Sequence, residues 1–241
     1  MWPRKSPLAL LAGLIWIWAA RLGLFWYRRV HADGGDQRFD RLKQSAPRFL
    51  VAWTMQGVWI VVTGLAAALA ISQAADSPPG WLDAVGLTLW MIGFGVAVVA
   101  DAQKRAHRRV APGAFASAGL WARSRHPNYF GEIVLWCGIA LIAASGLPER
   151  PWLALISPLF VIVLLTRVSG VPLLERSAEQ RWGHDPNYHA YVARTPVLVP
   201  RLTLPASGLV VFICLQTSGA TQATVCRATP RSSSTIPKMG A

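Results

Sequence analysis

The stretch ARSRHPNYFGEI, residues 122–133, joins a basic loop to an apolar run. Asn128 and Glu132 within it are four residues apart, so a helix places both side chains on one face. Such a pair can hold a carboxamide, because the carboxylate accepts from the NH2 group while the asparagine donates to the carbonyl oxygen. Arg125, one turn earlier, points towards the loop and can meet a phosphate. The stretch therefore predicts one wall of a binding site for a polar ligand.

A second polar group follows the apolar run 81–100. Asp101, Arg105 and Arg108 stand at positions i, i+4 and i+7, so they share one face of a helix that continues from that run. Arginine suits phosphate because its planar fork of donors binds two oxygens at once. The spacing indicates a ligand that carries several phosphates.

Ionisable residues also stand inside other apolar runs, at Arg21, Glu132 and Arg167. A charge at membrane depth is costly, and it usually marks an ion pair or a function. Two interpretations remain open: Glu132 pairs with Arg21 or Arg167 as a helix contact, or these residues converge with Asp101 on a pocket open to the cytoplasm. With Arg105 and Arg108 included, cations outnumber carboxylates, which favours a bound anion.

The elements that position these residues are membrane helices. The chain has 241 residues, of which 53% are hydrophobic and 15% are charged, and soluble globular domains rarely have such a composition. A bilayer core of about 30 Å needs roughly 20 apolar helical residues. The sequence predicts an all-α polytopic membrane bundle of about five transmembrane helices with a cytoplasm-facing cavity. The apolar runs occupy 6–27, 49–72, 81–100, 129–147 and 151–174.

One membrane domain is predicted over residues 1–202. The tail, 203–241, holds an apolar piece too short to span a bilayer, followed by a stretch rich in Ser, Thr, Ala and Pro. That composition favours disorder or an aberrant end, and it indicates no function.

The net charge of +13 comes largely from alternate loops between the apolar runs, a pattern typical of membrane proteins, and gives no indication of nucleic-acid binding. Residues 28–48 and 101–127 each hold six Lys and Arg, whereas 73–80 hold none and 148–150 hold one. Under the positive-inside rule the two basic loops face the cytoplasm. Arg4 and Lys5 then lie outside, which hints at further spans upstream.

The three cysteines form no CxxC pair, and the histidines show no spacing typical of metal ligands. Neither a disulfide framework nor a metal site is predicted.

Several stretches resemble a bacterial family of unknown function that is related to the C-terminal domain of steroid 5-alpha-reductases. The resemblance covers residues 15–202 and is specific for family membership. Its main stretches are WAARLG at 18–23, ADAQK at 100–104, SRHPNYFGE at 124–132, RVSGVPLLE at 167–175 and YVART at 191–195.

The resemblance implies a seven-helix membrane reductase that holds NADPH in a cytoplasm-facing cavity and delivers hydride to a conjugated double bond. It implies cofactor-binding roles for Asp101, Arg105, Arg108, Asn128 and Glu132, and it extends them to Arg125, Tyr129, Arg21, Arg38, Arg167 and Glu175.

The function implied is that of an integral membrane oxidoreductase acting on CH–CH groups in lipid metabolism. The protein would lie in the bacterial inner membrane, its substrate would be a lipid-like or steroid-like enone, and its cofactor would be NADPH. The family has two spans before the helix that carries Arg21, and they hold a glutamate that polarises the ketone. The tyrosine that partners this glutamate falls near Trp18 here, so no catalytic donor is assigned.

Two alternatives stay open. Isoprenylcysteine-type membrane methyltransferases carry a similar Arg-His-Pro-x-Tyr-x-Gly element and use S-adenosylmethionine. The second alternative is that the chain is an inactive, truncated member of the family.

Overall fold

A computed structural model describes residues 6–32, 45–73 and 80–201 of the chain. These residues form helices, turns and loops with no β-strand. Short 3-10 turns precede α4 and α5, and a π-helical turn, Leu164–Val168, follows α5. The helices are α1 (Ser6–Ala32), α2 (Ala46–Gln73), α3 (Trp81–Val110), α4 (Pro127–Ser145), α5 (Ile156–Val163), α6 (Val171–Trp182) and α7 (Pro186–Arg194).

Five helical stretches among the described residues are long and apolar enough to cross a bilayer, and the all-α membrane bundle is thereby confirmed. They are Ala9–Arg28, Ala46–Ser72, Trp81–Val110, Pro127–Ser145 and Pro151–Trp182. The direction in which a cavity opens stays a prediction, as does the domain boundary at residue 202. The tail 203–241 lies outside the described residues.

Helices α3 and α4 form the tightest contact of the bundle through two pairs of glycines. A β-carbon on Gly93 would lie 2.5 Å from the carbonyl oxygen of Gly131, and one on Gly138 would lie 2.5 Å from that of Gly86. Real β-carbons do not approach this closely, so only glycine lets the two backbones meet. The core grows from this seam and includes Trp90, Leu135 and Ile139 together with parts of α1, α2 and α5.

We expect Gly93→Ala and Gly131→Ala each to lower stability by roughly 1–3 kcal/mol, because each forces the two helices apart. Gly95→Ala is the matched control, since a β-carbon there meets no atom within 4 Å. Thermal unfolding in one detergent compares the three variants. Equal melting temperatures for Gly93→Ala and Gly95→Ala would contradict the close glycine contact between α3 and α4.

The C-terminal part of the described chain closes over the start of α4. The backbone nitrogens of Arg125 and His126 donate to the carbonyls of Pro196 and Val197, at 2.9 and 3.1 Å. The Tyr191 hydroxyl donates to the Trp121 carbonyl at 2.8 Å. Burial raises the pKa of Tyr191 well above its ordinary value, so the hydroxyl keeps the proton that it donates. The loop before α4, helix α7 and the segment after it thus form one polar cap.

The charge pattern predicts that this cap faces the cytoplasm. A cysteine at Ala114, which is exposed in the loop after α3, should resist membrane-impermeant maleimide applied from outside, whereas one at Glu149 should react. The native cysteines are replaced by serine beforehand. Labelling of position 114 from the outside in intact cells would reverse the predicted topology.

Candidate functional site

Three helices meet at a partly buried arginine near the capped end of the bundle. Arg21 of α1 donates from Nη1 to Glu132 Oε1 of α4 at 2.6 Å and from Nη2 to Asp101 Oδ2 of α3 at 2.5 Å. The three side chains are only 14%, 17% and 11% exposed, respectively. One guanidinium group therefore joins two carboxylates that would otherwise repel each other at membrane depth.

The second oxygen of Glu132 is also engaged. Trp18 Nε1, one turn before Arg21 on α1, donates to Glu132 Oε2 at 2.7 Å. The Trp18 ring meets the Trp136 ring edge to face, with centroids 5.1 Å apart. The indole donor and the guanidinium together fix the orientation of the carboxylate, so Glu132 presents a preset geometry to any ligand.

The ion pair settles which partner Glu132 takes: it is Arg21, whereas Arg167 is exposed on the π-helical turn. The expectation that cations outnumber carboxylates does not hold at the inner end of the site, which Arg21, Asp101 and Glu132 form within the bundle. Arg21, Asp101 and Glu132 carry one positive and two negative charges when ionised, so this end attracts a neutral or cationic group more than an anion.

The basic residues of the same α3 face lie further out. Arg105 is exposed, and its guanidinium lies 5.7 Å from the centroid of the Phe25 ring on α1. Arg108 is exposed nearly one turn further along α3. The rise of a helix puts Arg108 roughly 10 Å from Asp101 along the axis. The face thus changes from acidic inside to basic outside.

A second polar cluster joins the start of α4 to α6. Glu175 of α6 pairs with Arg125 and also contacts His126, whose Nε2 lies 2.6 Å from Glu175 Oε1. The His126 ring stacks in parallel on Tyr129, with centroids 5.6 Å apart. Arg125 was predicted to meet phosphate from the loop, but its partner here is a carboxylate.

Asn128 has an unused polar atom. Its Oδ1 is buried and has no hydrogen-bond partner in the described part of the chain. Buried polar groups normally find partners, so this oxygen has spare capacity for a ligand. Gly131, in contrast, serves the contact with α3, because a β-carbon there would lie 2.6 Å from the Gly93 carbonyl oxygen.

The predicted residues are thus divided among several places. Arg21, Asp101 and Glu132 meet directly, and Arg125 and Glu175 form the second cluster with His126, on which Tyr129 stacks. Arg105 and Arg108 are exposed further along α3, and Asn128 Oδ1 has no partner among the described residues. Arg167 joins neither of these ion-pair groups, and Arg38 lies outside the described residues.

The sequence interpretation did not include Trp18, His126 or Thr195 among the site residues. The spacing of Trp18 and Arg21, three residues apart on one helix, was the available signal for the first. His126 and Thr195, whose buried hydroxyl lacks a partner, lie within the family stretches SRHPNYFGE and YVART, but spacing alone did not identify them because their neighbours come from distant parts of the chain.

A comparison with known protein families matches most of the chain. A family model described as "Protein of unknown function (DUF1295)" matches residues 3–195. A curated relative, 3-oxo-5-alpha-steroid 4-dehydrogenase 1 of Rattus norvegicus, is 24% identical over 166 residues, which are 66% of this chain and 58% of the relative. The chain thus spans less than two thirds of the length of that relative. No solved structure matches.

Proposed function

We propose that this chain, which belongs to the DUF1295 family of proteins of unknown function, is an integral membrane oxidoreductase. It uses NADPH to reduce a carbon–carbon double bond conjugated to a carbonyl group in a lipid-like or steroid-like substrate. We place it in the bacterial inner membrane. The support from comparison is a relative named as a steroid dehydrogenase that acts on a 3-oxo steroid.

The observation that carries the proposal is the charge gradient along α3. Asp101 and Glu132 share the single arginine Arg21 at the inner end, and Arg105 and Arg108 follow outward on the face of Asp101. NADPH has the complementary polarity: its nicotinamide is neutral and becomes cationic when hydride leaves, while its phosphates are strongly anionic. The acidic end suits the nicotinamide, and the basic end suits the phosphates.

The residues present also fit the carboxamide of the nicotinamide. Asn128, one turn before Glu132, can donate from its amide nitrogen to the carboxamide oxygen, while its buried oxygen remains without a partner. Asparagine offers a donor and an acceptor, and a carboxylate keeps lone pairs after accepting two hydrogen bonds. Asn128 and Glu132 would hold the carboxamide, and Arg105 and Arg108 would hold phosphates.

NADPH, when bound, would supply the hydride. The residues of the chain would bind and orient the cofactor and the substrate, and they would exclude water. Arg21 and Trp18 hold Glu132 in one orientation, so little reorganisation is needed when positive charge develops nearby. Asp101 is held by the same arginine and adds to that stabilisation. The surrounding apolar helices lower the local dielectric constant, which strengthens these interactions.

One feature favours a second candidate. A carboxylate excess at the inner end also suits the sulfonium group of S-adenosylmethionine, the cofactor of isoprenylcysteine-type methyltransferases. That cofactor has no phosphate, so it leaves Arg105 and Arg108 without an anionic partner from the ligand.

Transfer of label separates the two candidates. The purified protein in lipid nanodiscs is mixed with NADPH deuterated at C4 and a panel of steroid and isoprenoid enones, with testosterone as the first probe. Deuterium is expected in the saturated product formed by the wild-type protein and should be absent from mixtures without protein. Methyl transfer from S-adenosylmethionine, with no deuterium transferred to any enone, would exclude the reductase.

A further inference from the structure

Buried polar atoms without partners concentrate at the start of α4. Seven such side-chain atoms occur in the described part of the chain, and four of them lie at this one place. Each unpaired buried group costs free energy, so a concentration of them points to a missing partner more strongly than one would alone. The four atoms are Arg125 Nε, His126 Nδ1, Asn128 Oδ1 and Thr195 Oγ1.

Two segments distant in sequence bring these atoms together. His126 is 5% exposed and Thr195 is 3% exposed. The Arg125 backbone nitrogen donates to the carbonyl of Pro196, the residue directly after Thr195. The segment after α7 is thereby tied to the residues that begin α4, so Thr195 lies close along the backbone pairing to Arg125 and His126.

Glu175 determines what His126 can do. Its carboxylate can only accept, so His126 Nε2, 2.6 Å away, donates to it and Nδ1 is the ring nitrogen left for a ligand. The cluster then offers one acceptor, Asn128 Oδ1, one donor, Arg125 Nε, and two groups that can take either role, His126 Nδ1 and the Thr195 hydroxyl. A phosphate offers mainly acceptors and would face the Glu175 carboxylate. A pair of hydroxyl groups both donates and accepts, so it matches the cluster.

We propose that these four atoms form a subsite for the ribose hydroxyls of the bound nucleotide. The subsite rests on the proposed function, and in NADPH the matching group is the ribose next to the nicotinamide, whose two hydroxyls are free. Asn128 lies about 6 Å before Glu132 along the axis of α4, as four helical residues require. That spacing allows the carboxamide and the adjoining sugar to bind to consecutive turns of one helix.

Thr195→Val tests the subsite without removing a bond from the free protein. Because Thr195 Oγ1 has no partner, valine should leave the melting temperature of the ligand-free protein unchanged or raise it. The affinity for NADPH should fall about 3- to 10-fold, the loss of one hydrogen bond. Affinity for adenosine 2′,5′-bisphosphate, which lacks the nicotinamide ribose, should not change.

His126→Gln should lower NADPH affinity at least as much. His189→Gln is the matched control, since the His189 ring is exposed and contacts the Gly183 carbonyl away from this cluster. Wild-type affinity for NADPH in both Thr195→Val and His126→Gln would overturn the subsite and leave the proposed function standing. A fall in the ligand-free melting temperature of Thr195→Val would also overturn it, because the hydroxyl would then support the fold. Failure of the wild-type protein to bind NADPH would instead remove the proposed function itself.

Discussion

Arg21→Met should be the most destabilising single substitution in the polar part of the bundle, at about 3–5 kcal/mol. Methionine keeps an unbranched apolar stem but removes the guanidinium, which strands Asp101 and Glu132, 11% and 17% exposed. Two unpaired carboxylates at membrane depth repel each other and lack water. The melting temperature in detergent is expected to fall well below that of the wild-type protein.

Two comparisons make this result specific. Arg150→Met removes an exposed arginine at the opposite end of the bundle and should change little. Combining Arg21→Met with Asp101→Asn and Glu132→Gln should recover much of the lost stability, since neutral partners leave no buried charge unpaired. If Arg21→Met and Arg150→Met unfold at the same temperature, the ion-pair centre does not stabilise the fold.

Replacement of Arg105 and Arg108 by alanine should have the largest effect on cofactor affinity. Each loss should cost roughly 1.5–3 kcal/mol, about 10- to 150-fold in Kd for NADPH, if each arginine makes a charge-assisted hydrogen bond to phosphate. Both side chains are exposed, so ligand-free stability should stay close to that of the wild type. The affinity of the wild type should also weaken with salt.

Arg150→Ala provides the control for charge alone, because it removes one cation at the far end of the bundle. Equal NADPH affinities in Arg105→Ala, Arg108→Ala and Arg150→Ala would remove these two arginines from the site.

Much of the bundle follows from sequence alone. Apolar length gave the spans, and the shared face of Asp101, Arg105 and Arg108 required α3 to continue past the membrane run, as it does to Val110. The family relationship suggested by the motifs is confirmed by the match over residues 3–195. Pro127 begins α4, where its missing donor costs nothing.

The fifth run shows where hydropathy stops being informative. Residues 151–174 form one apolar stretch, yet the structure divides them into a 3-10 turn, α5, a π-helical turn and the beginning of α6. Pro172 in the first turn of α6 has no backbone donor, so the helix restarts there. Apolar residues occur in each of these conformations, so hydropathy cannot distinguish one conformation from another.

Side-chain partners were the other limit. Periodicity placed Glu132 on a face, but two candidate arginines were open, and only the packing of α1 against α4 selects Arg21. Trp18 was interpreted as a poor substitute for a tyrosine, whereas its indole nitrogen binds Glu132. Such choices depend on how helices rotate about their axes, which hydropathy does not show.

Calorimetric titration of the purified, detergent-solubilised protein with NADPH, and separately with S-adenosylmethionine, tests the central claim most directly. The acidic inner end and basic outer end of the α3 face predict saturable binding of NADPH and weak or absent binding of S-adenosylmethionine. Arg105→Ala should weaken the binding of NADPH without unfolding the protein. Tight binding of S-adenosylmethionine together with no binding of NADPH would contradict the account.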